Sequence, residues 1–200
     1  MANYYSCSYG PIRSSSFDEE VVIERAANEL AAFAMSYDMV QLNPIDEASP
    51  FLAASRHAFS RAGWLTERYT CFGNWYTPTN GLTYRDYLSG CKSSFPETCE
   101  KRRQQFLKRK NVRLDIQQND ANVDAAIGAY TKVYRSSWKT PEPYVDFIPS
   151  LITLAAKNGW LRLGLAFVDA EPAAAQLWFV VNRRALIYKI AYDDKFSKLS

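Results

Sequence analysis

The stretch SSWKTPEP at 136–143 sets a lysine, Lys139, and a carboxylate, Glu142, three residues apart beside Trp138. Pro141 and Pro143 fix their own φ and hold the residues before them out of the helical region, so the stretch is a rigid corner between helices. A rigid, exposed loop with an aromatic ring and both signs of charge can hold a substrate group. Trp138 and Lys139 would then contact it, with Glu142 as base or orienter. The same residues also suit an ordinary helix-to-helix corner in which Trp138 plugs the core and Lys139 pairs with Glu142. Gln176, within AAAQLWFVV, and Lys189, within LIYKIAY, are polar groups in apolar runs. If buried, each must be hydrogen-bonded. Lys189 either meets a phosphate or a carboxylate, or lies on the solvated face of a sheet.

Other chemistries are excluded by residue type. Cys7, Cys71, Cys91 and Cys99 form no CxxC pair, and His57 is the only histidine, so a metal site is not expected. His57 falls within the helical pattern SPFLAASRHAFSRAG and reads as structural, which leaves no Ser/His/Asp or Cys/His scheme. A net charge of +3 names no polyanionic partner, although Lys101, Arg102, Arg103, Lys108, Arg109, Lys110 and Arg113 cluster. That run is either a phosphate-binding surface for RNA or tRNA, or a solvated helix face interleaved with Gln104 and Gln105. No apolar run approaches a membrane span and no signal segment opens the chain, so a cytoplasmic location with reduced thiols is expected.

The elements that must position these residues follow from periodicity. With 48% hydrophobic and 22% charged residues the composition is globular. SSSFDEEVVIERAANELAAFA places Val22, Ala26, Leu30 and Phe33 at helical spacing, with Ser16 and Glu19 as a capping box. DMVQLNPI reads as a short strand, the His57 helix follows, and WLTERYTCFGNWYT is an aromatic, β-rich run. Turn residues at 77–83, TPTNGLT, make the linker, giving lobes 1–83 and 84–200. In the second lobe SSFPETCEKRRQQFLKRK, with Ser94 and Glu97 as a capping box, predicts a helix to about Lys110. VRLDI predicts a strand. DANVDAAIGAYTKVYRS, with Val123, Ile127, Tyr130 and Tyr134 on one stripe, and FIPSLITLAAKNGW predict helices. LRLGLAFVD, AAAQLWFVV and ALIYKIAY then alternate with period two and form an antiparallel meander, with Leu186, Tyr188, Ile190 and Tyr192 sharing a face.

This order, carried by YTKVYRSSWKTPEP, by GWLRLGLAFVDAEPAAAQLWFVVNRRALIYKIAYDDKFSKLS and by FGNWYTP upstream, resembles the GNAT acetyltransferases. More narrowly it resembles the CelD/BcsL-type branch, which is related to the FemAB peptidyltransferases. The resemblance implies a mixed, largely antiparallel α/β (α+β) sheet flanked by helices and preceded by a smaller α/β lobe. It also implies that a coenzyme A pyrophosphate loop should begin near Ser200, so the C-terminal part of the fold is expected to be missing, and the start is expected to enter mid-domain at NYYSCSYGP. An apolar strand at 185–192 left as an edge offers unpaired N–H and C=O groups.

By the same resemblance acetyl-CoA is the co-substrate, and its pantetheine arm and carbonyl lie along the backbone of Lys189, Ile190, Ala191 and Tyr192. Tyr192 is the candidate acid toward the departing thiolate, or it packs on the sheet with its neighbours. Glu142 is the candidate base. Trp138, Lys139 and Gln176 are candidate substrate contacts for a small-molecule or glycan-precursor acceptor. The FemAB relationship keeps tRNA open as a partner of the basic run.

Overall fold

The structure is a computed structural model that describes residues 9–33, 38–73, 75–91 and 94–199. Cys7, the opening NYYSCS and the loop expected from Ser200 lie outside the described residues. The chain divides into two compact units, Met1–Pro78 and Thr79–Ser200, so the division falls within the turn-rich stretch at 77–83.

In the first unit α1 (Glu19–Ala32) and α2 (Pro50–Arg61) bury Ile23, Ala27, Phe51, Ala58 and Phe59 against each other. The cap of α1 is Asp18 and not Ser16. The Asp18 carboxylate accepts from the Glu20 and Val21 N–H groups at 2.9 and 3.3 Å, while the Ser16 hydroxyl is engaged with Ser14. Two expected strands do not form. Residues 38–45 and the run 64–77 have no ladder partner among the described residues; Val40, Leu42, Ile45 and Trp64 instead pack on the helix pair. Period-two patterning marks a chain that can extend, but a strand also needs a neighbour for its N–H and C=O groups. His57 lies on the exposed side of α2.

The second unit carries the mixed α+β architecture. A short helix, α3 (Tyr84–Gly90), opens with a capping box: the Thr83 hydroxyl accepts from the Asp86 N–H, and the Asp86 carboxylate accepts from the Thr83 N–H at 2.9 Å and from its hydroxyl. These bonds hold the Asp86 carboxyl below its ordinary range, first through the Thr83 side chain and then through its backbone. A depressed carboxylate stabilises the fold above its unfolded pKa and loses that contribution as pH falls through the folded one. Asp86→Asn should therefore lower the urea midpoint at neutral pH, and the gap to the wild type should close below the usual carboxylate range. A gap that persists at the lowest pH would place the effect elsewhere. Helix α4 (Phe95–Leu107) follows as expected from its pattern, with Pro96 in its first turn; Ser94 occupies the cap position, but its side chain makes no capping bond.

The sheet is four-stranded and antiparallel in the order β1-β2-β3-β4, from β1 (Val112–Gln117), β2 (Leu161–Val168), β3 (Glu171–Val181) and β4 (Arg184–Tyr192). α5 (Val123–Arg135) and α6 (Phe147–Lys157) pack on one face of it. The core lies between, where Val133, Ile148, Ile152, Leu161, Leu163 and Leu177 are fully buried. Helix α6 ends in paired bonds from Gly159 N–H to Ala156 C=O and from Trp160 N–H to Ala155 C=O, with Gly159 at φ +71°. This is the left-handed stop that glycine permits, and it delivers the chain directly into β2.

The two hairpin turns, Asp169-Ala170 and Asn182-Arg183, have all four residues at φ between 49° and 64°. Two-residue turns of this hand match the strand twist but favour Asn, Asp and Gly. Ala170 and Arg183 therefore occupy a conformation that costs an ordinary L-residue about 1 kcal/mol or more. Ala170→Gly and Arg183→Gly should each stabilise the sheet unit by up to about 1 kcal/mol, read as a rise in the denaturation midpoint. No rise in either variant would show that the turns carry no such strain.

Candidate functional site

The site is built where β4 meets the corner that follows α5. Two features of local structure produce it. The first is a β-bulge. Leu177 of β3 faces Lys189, whereas the next residue, Trp178, faces Ile187, so Tyr188 has no cross-strand partner. The expected common face of Leu186, Tyr188, Ile190 and Tyr192 is thereby broken, because an inserted residue reverses the alternation beyond it. By register Lys189 and Ala191 lie opposite the buried Leu177 and Ala175, on the helix-covered side, while Ile190 and Tyr192 lie opposite Gln176 and Ala174. The Tyr188 ring packs on Phe179, 5.2 Å between centroids.

The second feature is the proline-bounded corner. Ser136 ends α5, and its carbonyl accepts from the Asp194 N–H just beyond β4 at 3.2 Å. The Ser137 hydroxyl donates to the Tyr134 carbonyl at 2.8 Å, and the Tyr134 hydroxyl donates to the Thr140 carbonyl at 3.4 Å. These bonds fold 136–142 back on α5 and toward the end of β4.

Five of the predicted residues meet there, Glu142, Lys189, Trp138, Tyr192 and Lys139. Lys189 Nζ donates to Glu142 Oε1 at 2.6 Å, with side chains only 11% and 10% exposed. This overturns both the solvated-face reading of Lys189 and the Lys139–Glu142 pairing. The bulge turns Lys189 inward, and a carboxylate 47 residues away in sequence meets it. The same ammonium lies 5.5 Å from the centre of the Tyr134 ring, whose negative face favours a cation. Trp138 is 53% exposed and does not plug the core; its ring packs on Tyr192 with 4.5 Å between centroids. Lys139 Nζ sits 5.3 Å from the centre of the Trp138 ring. The corner thus meets side chains from both faces of β4. It can do so only at the end of the strand's outer edge, because β3 occupies the other edge.

The backbone of Lys189, Ile190, Ala191 and Tyr192 belongs to the last strand in the sheet order, with no ladder partner on its outer side among the described residues. That edge can offer hydrogen bonds to an extended ligand. Gln176 is not brought to the corner. It is exposed on the side of the sheet away from α5 and α6, where its side-chain oxygen accepts from Trp178 Nε1 at 3.1 Å. Sequence reasoning placed Tyr134 only on the core stripe of α5; the ring contact with Lys189 depends on a bulge that no periodicity announces.

Elsewhere, Lys195 donates to Glu171 at 2.7 Å and fastens the 3-10 turn Asp194–Leu199 to the start of β3. The hydrogen bond, and then the charge of Lys195, hold the Glu171 carboxyl below its ordinary range. The basic residues of 101–110 are all exposed and α4 buries no residue; Arg113 pairs with Asp115 and lies over the Phe167 ring at 4.0 Å. Among the described residues no group of three or more His, Cys, Asp or Glu could hold a metal ion, and no helix is long and apolar enough to cross a membrane.

Residues 93–200 match the family model of the acetyltransferase (GNAT) domain, a span of more than half the chain. It takes in α4, the whole sheet, the corner and Tyr192. No curated protein and no solved structure gives a match.

Proposed function

Since the chain belongs to the acetyltransferase (GNAT) domain family, we propose that it moves an acetyl group from acetyl-CoA to an amine or hydroxyl of a small-molecule or glycan-precursor acceptor at the junction of β4 and the 136–142 corner. The observation that supports this placement is the meeting of Trp138 with Tyr192 and of Glu142 with Lys189, which puts an aromatic wall, a carboxylate and a phenol beside an outer strand edge.

In this reading the thioester lies along the outer edge of β4, where backbone donors hold it and polarise its carbonyl. Trp138 and Lys139 hold the acceptor. Glu142 accepts or orients the acceptor proton while the new C–N or C–O bond forms. As the C–S bond breaks, the Tyr192 hydroxyl gives its proton to the thiolate and regains one from the acceptor by way of solvent. The resemblance to the CelD/BcsL-type branch supports a glycan precursor over other acceptors.

The test is calorimetric titration of acetyl-CoA, followed by release of free coenzyme A thiol in the presence of amine, amino-sugar and hydroxyl acceptors. Saturable binding and acceptor-dependent thiol release are expected. No binding by the folded protein would end the acetyl-CoA reading. Binding to tRNA that collapses steeply with salt would move the donor to aminoacyl-tRNA.

A further inference from the structure

We infer that Lys189 is a positioning residue and not a ligand of the donor: its ammonium latches the 136–142 corner to the bulge of β4 and so sets where Trp138 and Glu142 stand. The inference rests on the proposed acceptor role of that corner and adds the residue that fixes it.

Three observations carry it. Lys189 emerges from a strand position that the bulge has turned toward α5, so its side chain lies on the helix-covered face of the strand. Its ammonium is already engaged by Glu142 at 2.6 Å and lies near the Tyr134 ring, and both members of the pair are about nine-tenths buried. The Ser137 hydroxyl ties the start of the corner to the Tyr134 carbonyl at 2.8 Å, and three further hydrogen bonds of the segment are longer. The Tyr134 hydroxyl is 3.4 Å from Thr140, the Lys139 N–H is 3.4 Å from the Ser137 hydroxyl, and the Asp194 N–H is 3.2 Å from Ser136. Hydrogen bonds of such length are near the limit of the interaction, whereas a charge-assisted bond of the Lys189–Glu142 length is among the stronger kinds. Pro141 and Pro143 make the corner stiff within itself, so fixing Glu142 between them fixes the whole segment. With Ser137 held at the α5 end, release of the Lys189–Glu142 bond frees the far end of a stiff segment, and Trp138 lies between the two.

The test compares the wild type with Lys189→Met, Lys189→Arg and the double variant Lys189→Met/Glu142→Leu, in the full chain. Hydrogen exchange across 136–143 should rise about tenfold in Lys189→Met, should stay near the wild-type rate in Lys189→Arg, which keeps a cation for Glu142, and should not rise in β2 and β3. In steady state Lys189→Met should raise the acceptor KM about tenfold while the acetyl-CoA Kd, from calorimetry, changes less than twofold. If Lys189→Met does not fold, the double variant, which leaves no unpaired charge, carries the exchange measurement and should show the same local rise.

Unchanged exchange at 136–143 on loss of the pair would overturn the latch. So would a fall in acetyl-CoA affinity of tenfold or more with the corner still protected, because Lys189 would then be a donor ligand. A wild type that releases no thiol with any acceptor would sink the acyl-transfer reading alone, and the exchange comparison would still decide the latch.

Discussion

Tyr192→Phe is expected to lower turnover by about 10²-fold or more at saturating acetyl-CoA, within the range general acid catalysis supplies. A phenol, with a pKa near 10, and a thiol, near 8.5, are close enough for the proton to pass to sulfur as the C–S bond breaks. Removing only the hydroxyl keeps the ring that packs on Trp138, so the wall of the site is retained. The acetyl-CoA Kd and the denaturation midpoint should stay close to the wild type. A loss of kcat with an unchanged Kd is the pattern of a group acting in the transition state. Full activity in Tyr192→Phe would remove Tyr192 as the acid and leave it as part of the wall. A fall in stability of more than about 1 kcal/mol would instead point to a buried hydroxyl bond.

The residues around Tyr192 show which parts of the fold the sequence makes legible. The meander is readable because Leu161, Leu163 and Leu165 alternate and turn residues separate the runs; each strand begins within two residues of its pattern, β3 the furthest off because Glu171 and Pro172, which look like turn residues, already belong to it. α5 and α6 were readable for the corresponding reason at period 3.6. The first unit shows the limit. Residues 38–45 carry a strand pattern and become an irregular segment packed on two helices, since pattern specifies which side chains are buried and not which backbone pairs with which. The site shows a sharper limit. Glu142 and Trp138 stood out through the prolines around them, and Tyr192 through its place at a strand end. Which of them pair is not legible, because a one-residue bulge at Tyr188 decides whether Lys189 faces water or α5, and that choice is made by packing against Phe179 and Tyr134. Gln176 went the other way. Its apolar neighbours leave open whether it is buried, and it lies on the uncovered side, paired with Trp178 two residues on.

The buried pair supplies the largest expected change in stability. Glu142→Leu should destabilise the sheet unit by about 3–5 kcal/mol, because it leaves the Lys189 ammonium without its carboxylate in a position about one-tenth exposed. Against a typical total of about 5–15 kcal/mol, that is a large share of what holds a domain folded. Adding Lys189→Met removes the orphaned charge and should recover most of the loss, to within about 1–2 kcal/mol of the wild type, since apolar residues of similar volume commonly replace a buried pair at little cost. The reason is the sign of the desolvation term: two charges taken from water together nearly break even, whereas one left alone does not. Urea denaturation followed by Trp fluorescence, with equal m-values for all variants, gives the comparison. A Glu142→Leu cost below about 1 kcal/mol is what an exposed ion pair would give, and would mean that water reaches the ammonium after all. Equal losses in the single and double variants would mean that the apolar stem of Lys189, opposite Leu177 in the ladder, carries the stability and the charge does not.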